Sequence, residues 1–148
     1  MDWLKDLFSN PFLLTGLGSW FVAQVLKMIL HFIIYKKLEL ERLFGDGGMP
    51  SGHSATVASL ATICGLSFGF ASVEFAITAI LATIVCHDAT GVRRETGKHA
   101  EVLNELLEFI ETGKSIDLKE LVGHTPVQVL AGILIGIGNA LLMYFVIL

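Results

Sequence analysis

Charge is what this chain has least of. Asp, Glu, Lys and Arg make up 16% of its 148 residues, against 53% hydrophobic side chains and a mean hydropathy of +0.70. That balance excludes an ordinary water-soluble domain, in which about a quarter of the residues are charged, and it points to one small membrane domain. Positive charge is the scarcer sign: 10 Lys and Arg against 14 Asp and Glu give a formal net charge of −4. A chain without a basic face does not bind nucleic acid through its phosphates. Cysteine is limited to Cys64 and Cys86, both inside apolar stretches, where a thiol reads as a small buried side chain and no disulfide is assigned. The start, Met1-Asp2-Trp3-Leu4-Lys5-Asp6, has neither the basic region nor the small-residue cleavage site of a signal peptide. The first apolar segment is therefore expected to be retained.

What is abundant is apolar sequence in helix-sized lengths. Four segments, residues 11–35, 53–71, 73–87 and 126–148, reach or approach the roughly 20 residues that cross a hydrocarbon core. The expectation is an all-α integral membrane bundle of about four transmembrane helices in a single domain, with residues 54–87 forming a helical hairpin around a tight turn at 68–72. All Lys and Arg except Lys5 and Lys27 fall in two loops, 36–42 and 93–119, while the turn at 68–74 has none. By the positive-inside rule both basic loops are cytoplasmic and both termini outside.

Within that frame the densest local pattern is Gly47-Gly48-Met49-Pro50-Ser51-Gly52-His53-Ser54, a glycine pair running into the mouth of an apolar helix. Pro50 suits a helix entrance, where its missing N–H is not needed. Ser51, Gly52 and His53 offer backbone donors at the positive end of the helix dipole, where an anion sits favourably. His53 adds a group that exchanges protons near neutral pH. An ordinary loop and cap would have the same local composition, so the weight lies in what accompanies it.

Gln24, Lys27 and His31, spaced i, i+3, i+7, share one stripe of the first long helix. A lysine at that depth faces the bundle interior or a wet cavity, unless it snorkels to the headgroups. Small residues recur at Ser54, Ala58 and Thr62, at Ala61 and Gly65, and again at Gly132 and Gly136, the spacing that brings membrane helices into close contact, either within a bundle or between two copies in a homo-oligomer. Cys86-His87-Asp88-Ala89-Thr90-Gly91-Val92-Arg93-Arg94 ends a membrane helix with an acid and two arginines, whose planar forks suit phosphate oxygens. Residues 95–113 follow as an amphipathic helix with Val102, Leu103, Leu106, Leu107 and Ile110 on one stripe. It lies either in the membrane interface or against the bundle. Gly123-His124-Thr125-Pro126 is a second glycine-histidine-proline entrance on the same side.

If the two entrances meet, two histidines, Lys27, an arginine and a helix N-terminus surround one pocket. That is an inventory for phosphoryl transfer without a metal: one imidazole attacks phosphorus, the other protonates the leaving alkoxide, and cations with backbone N–H groups hold the equatorial oxygens. No compact metal-ligand motif such as H-E-x-x-H is present, no cofactor is implied, and the G-x-S-x-G elbow of a serine hydrolase is missing.

Gly47–Ser54 together with Gly123-His124-Thr125-Pro126-Val127-Gln128-Val129-Leu130-Ala131-Gly132 resembles the phosphatidic acid phosphatase type 2 and vanadium haloperoxidase superfamily. With Asp-Ala-Thr-Gly-Val-Arg-Arg between them, nearly the whole chain resembles its divergent small membrane branch. The resemblance implies His124 as the nucleophile that forms a phosphohistidine, His53 as the general acid, and Ser51 and Gly52 as phosphate donors. The superfamily's arginine before the nucleophile falls on Leu118, so Arg93 or Arg94 takes its place; its orienting acid falls on Gln128, so Asp88 takes that role; its first motif would need a proline where Leu43 follows Arg42, so Lys27 replaces it. The implied activity is hydrolysis of a lipid phosphate, a phosphomonoester or pyrophosphate, at the cytoplasmic face of a bacterial inner membrane. A non-catalytic lipid-phosphate binder or carrier is the alternative, a structural membrane subunit the blander one, and a vanadate haloperoxidase ranks below.

Overall fold

The computed structural model describes residues 2–36, 47–110, 118 and 122–146. Six helices follow one another: α1 (Trp3–Phe8), α2 (Pro11–Tyr35), α3 (Gly52–Phe68), α4 (Val73–Thr90), α5 (Val92–Phe109) and α6 (Pro126–Val146), with no strand among the described residues. The expected all-α bundle is what forms. The starts of the long helices are chemically marked. Asn10 accepts from the N–H groups of Phe12 and Leu13 ahead of Pro11, Ser51 from Ser54 N–H, and Ser72 from Phe75 N–H; each satisfies a donor that the first helical turn leaves open.

Among the described residues three helical runs are long and apolar enough to cross a membrane, Pro11–Tyr35, Val73–Glu108 and Pro126–Val146. The fourth expected span, α3, has 17 residues, about 25 Å of helix. It is the innermost element, packed by α2, α4 and α6. Its buried positions run from Gly52 to Gly65, whereas Ala89 is the buried residue of α4.

The bundle buries mostly small and polar side chains and exposes large apolar ones. The buried stripe of α2 is Thr15, Gly16, Ser19, Ala23, Gln24, Lys27 and His31, while Leu17, Phe21, Ile29, Ile33 and Ile34 face outward. Lipid tails reward that arrangement, because they are as apolar as any core and leave hydrogen bonds and close packing to join the helices. Asn139 of α6 donates to Ser19 Oγ at 2.7 Å, and Ser19 Oγ donates to the Thr15 carbonyl at 2.8 Å. Small residues supply the approach. A Cβ added to Gly132 or Gly136 would run into the backbone carbonyls of Ser51 and Ala55 respectively. The α6 glycines therefore serve the bundle, by seating α6 on the start of α3.

Three boundaries differ from the sequence reading. The second segment ends at Phe68, not 71, because Gly69 turns the chain at φ 90 and lets Phe70 and Phe75, in edge contact at 5.1 Å, fold back over Gly65. The third runs on to Thr90 rather than 87, and the amphipathic helix starts at Val92 rather than 95, because Gly91 (φ −102, ψ −95) is the whole corner between them. The described part of α5 ends at Phe109, and Glu41, Arg42 and Leu43 lie outside the described residues. Cys64 and Cys86 are unlinked.

The α3–α6 seat is open to test. Gly136→Val is expected to cost about 1–3 kcal/mol through overpacking, read as a lowered unfolding midpoint in mixed micelles. Gly138→Val, whose Cβ meets nothing within 4 Å, should shift it by no more than about 0.5 kcal/mol.

Candidate functional site

Both glycine-histidine entrances lie at one end of the bundle, and backbone hydrogen bonds hold them there. Ser51 N–H donates to the Gln128 carbonyl at 3.1 Å, which fixes the mouth of α3 on the first turn of α6. His124 N–H donates to the Ala89 carbonyl at 2.9 Å, which ties the second entrance to the end of α4. Gly123 sits at φ 87, and a side chain there would collide with the backbone of Arg93 and Arg94. The loop is thus pressed onto the start of α5. Gly48, at φ 90, lies beside the aliphatic stem of Lys27, with a Cβ position 3.6 Å from Lys27 Cδ.

Thr125, Pro126 and Gln128 form a capping box. Gln128 N–H donates to Thr125 Oγ1 at 3.4 Å, and Thr125 N–H donates to Gln128 Oε1 at 3.0 Å. Each of these two open backbone donors at the helix start is satisfied by the other residue's side-chain oxygen. Gln128, which stands where an acid would orient the histidine, is occupied as a cap.

Between these entrances, the C-terminal end of α2 and the first turns of α5 is a cavity of about 680 Å³. Its walls carry Lys27, His31, Arg94, Lys98, Glu101 and His124, with Gly47, Gly48 and Gln128 beside them and Leu30, Ile34 and Tyr35 along the outer edge of α2. His124 is 3% exposed and Lys27 5%. Among the described residues Nδ1 of His124 has no hydrogen-bond partner. Burial is the main cause that holds the imidazole below its ordinary pKa of 6.5, and the Lys27 ammonium and then His53 add to it. The Gln128 side chain, which outweighs His53, and the Gly48 backbone pull the other way. Near neutral pH His124 is therefore an unprotonated imidazole, the form that has a lone pair to give.

Of the residues singled out from sequence, Lys27, Arg94 and His124 line this cavity together. His53 is exposed in the first turn of α3, outside the cavity wall, though close enough for its charge to act on His124. Ser51 is wholly buried. Its N–H is taken by Gln128 and its Oγ accepts from Ser54 Oγ at 2.9 Å, so it joins helices rather than facing the cavity. Gly52 abuts Trp20, a Cβ there lying 3.2 Å from Cδ1. Asp88 is paired with Arg93 (Nε to Oδ2, 2.7 Å) instead of with His124, an ion pair across the Gly91 corner. That pairing separates the two arginines: Arg93 fastens the corner and Arg94 faces the cavity. Lys98 and Glu101 were not singled out, although their i, i+4, i+7 register with Arg94 marks one helical face. The T-x-x-Q signature of the capping box was equally readable.

A family model described as "Divergent PAP2 family" matches residues 8–139. YuiD, an uncharacterized membrane protein of Bacillus subtilis (strain 168), is 40% identical over 146 residues, spanning 89% of this chain and 92% of that one. No solved structure matches the chain.

The depressed His124 pKa makes a signed prediction. Replacing Lys27 by Met removes a neighbouring cation and should move the His124 midpoint upward, read from imidazole C–H shifts in NMR titrations. Because the folded-state pKa lies below 6.5, the stability linked to His124 is complete above about pH 6.5 and is lost as pH falls towards the folded value. His124→Gln should flatten that part of the stability profile.

Proposed function

This chain belongs to the Divergent PAP2 family and is a membrane protein, and on that premise we propose that it hydrolyses a lipid phosphate in the cavity around His124. The reading rests on one observation above all: a buried imidazole beside a buried lysine and an arginine, at one end of a membrane bundle.

The chemistry follows from the groups present. Nε2 of His124 attacks phosphorus, and the bond to the lipid alkoxide breaks as His53 protonates that oxygen. Lys27 and Arg94 balance the charge on the equatorial oxygens, in a site where burial magnifies their effect. Water then attacks the phosphohistidine, passes a proton back to His53, and the P–N bond breaks to release phosphate. The positive-inside distribution of Lys and Arg supports a position of this end of the bundle at the cytoplasmic headgroup level, where a lipid held by its chains presents its phosphate.

A second reading has its own observation. Nδ1 of His124 lacks a partner among the described residues and Asp88 is engaged by Arg93, so no acid among the described residues fixes the imidazole as fast attack requires. A lipid-phosphate carrier keeps the cations and needs no attack. Phosphate release from a panel of lipid phosphates by purified protein separates the two. A hydrolase should lose at least about a thousandfold with His124→Ala and roughly 100- to 10,000-fold with His53→Ala. A carrier should release none with wild type while binding the same lipids, and should lose that binding with Lys27→Ala.

A further inference from the structure

Helix α5 has a cavity side, a bundle side and a bare apolar side. The cavity side carries Arg94, Lys98 and Glu101. The bundle side is built of Gly97 and Ala100, both buried, and of Asn104, which donates to the Leu118 carbonyl and accepts from Leu118 N–H, each at 2.9 Å. At the first turn Gly123 presses on the backbone of Arg93 and Arg94. These contacts fix the roll of the helix about its own axis. With the roll fixed, Val102, Leu103, Leu106 and the closing residue Ile110 stand about half exposed or more, along an arc of about 100°.

Over these last turns apolar and charged residues separate cleanly. Glu101, Glu105 and Glu108 fall on the other half of the helix. One turn before Leu103 stands His99, and one turn before that Glu95, whose carboxylate holds Lys98 at 2.6 Å, so the apolar row belongs to the end of α5. Beyond the Gly91 corner lies α4, whose Ile77, Ile80, Leu81 and Ile84 are exposed in a run long and apolar enough to cross a membrane. Its 18 residues make about 27 Å of helix, close to the roughly 30 Å of the hydrocarbon core. The whole length of α4 is thus spent on the crossing, and a single residue later α5 begins at the bilayer surface. Lipid is the apolar partner that this position supplies.

We propose that the end of α5 is a membrane-surface anchor, with Val102, Leu103, Leu106 and Ile110 lying in the boundary between headgroups and acyl chains and the three glutamates in water. Its hold rests on apolar area, because anionic headgroups repel those carboxylates; the surface it fits is one of zwitterionic lipid. Arg94, Lys98 and Glu101, on the cavity side of the same helix, are thereby kept at headgroup level, so that the lipid surface helps to set the height of the cavity wall.

Spin-label depth measurements test this in the full chain carrying Cys64→Ala and Cys86→Ala, reconstituted in phosphatidylcholine vesicles. Nitroxides are attached singly through Leu103→Cys, Leu106→Cys, Glu105→Cys and Glu108→Cys, and their relaxation is read with oxygen, which concentrates in hydrocarbon, and with a nickel chelate confined to water. Oxygen should dominate at 103 and 106 and nickel at 105 and 108. Nickel dominance at all four positions would leave the row bare in water and overturn the anchor. Spin–spin broadening at 103 and 106 that vanishes on dilution with unlabelled protein would put a second copy there and overturn it equally, as would low access to both reagents without broadening, the mark of coverage by the chain itself. If a label at 103 or 106 lowers the thermal unfolding midpoint, Val102→Cys and Ile110→Cys report on the same row.

Discussion

One backbone hydrogen bond, from Ser51 N–H to the Gln128 carbonyl, brings together two helix entrances 77 residues apart in the chain (128 minus 51). It forms only because α6 approaches α3 to backbone contact, which Gly132 and Gly136 permit and any side chain there would prevent. In hydrocarbon this constraint is strict, since lipid offers no partner to a stray N–H or carbonyl and no hydrophobic push between helices. Once α3 and α6 are seated, Gly123 falls against the start of α5 and His124 against the end of α4. The position of the histidine is thus a consequence of glycine contacts made two turns deeper in the bundle.

The same inversion of inside and outside explains how so apolar a chain keeps a charged cavity. Large apolar side chains cover the outer faces of α2, α4 and α6, and the interior is built mostly of Ser, Thr, Gly and Ala, with Val57, Ile63 and Val129 as its larger apolar members. A buried lysine such as Lys27 is costly in that setting. It is retained beside an imidazole whose proton affinity it lowers, so the cost is coupled to a chemical property of the site. Arg93 and Asp88 fasten the α4–α5 corner, leaving Arg94 on the cavity side of the same turn.

Much of this was legible in the residues. The apolar runs gave the helices, the i, i+3, i+7 spacing of Gln24, Lys27 and His31 gave the inward stripe, and the paired entrances gave the end of the bundle that matters. What was not legible is which groups meet. Small-residue spacing identifies a close contact without naming its partner, so Gly132 and Gly136 suited a dimer as well as the α3 seat. Asp88 was matched to His124 by role, whereas a local ion pair with Arg93 decides its place. Ser51 was read as a phosphate donor, yet its N–H joins two helices. The α4–α5 corner escaped because a single glycine makes it, with no proline or polar run to mark a break.

The central claim is that His124 acts chemically on phosphorus. Its most direct measurement is rapid quench of purified protein with a labelled lipid phosphate, followed by digestion and mass spectrometry under alkaline conditions that preserve a phosphoramidate. The account predicts phosphate on the peptide containing His124, formed before free phosphate appears. Steady release of phosphate with His124 never phosphorylated would contradict it.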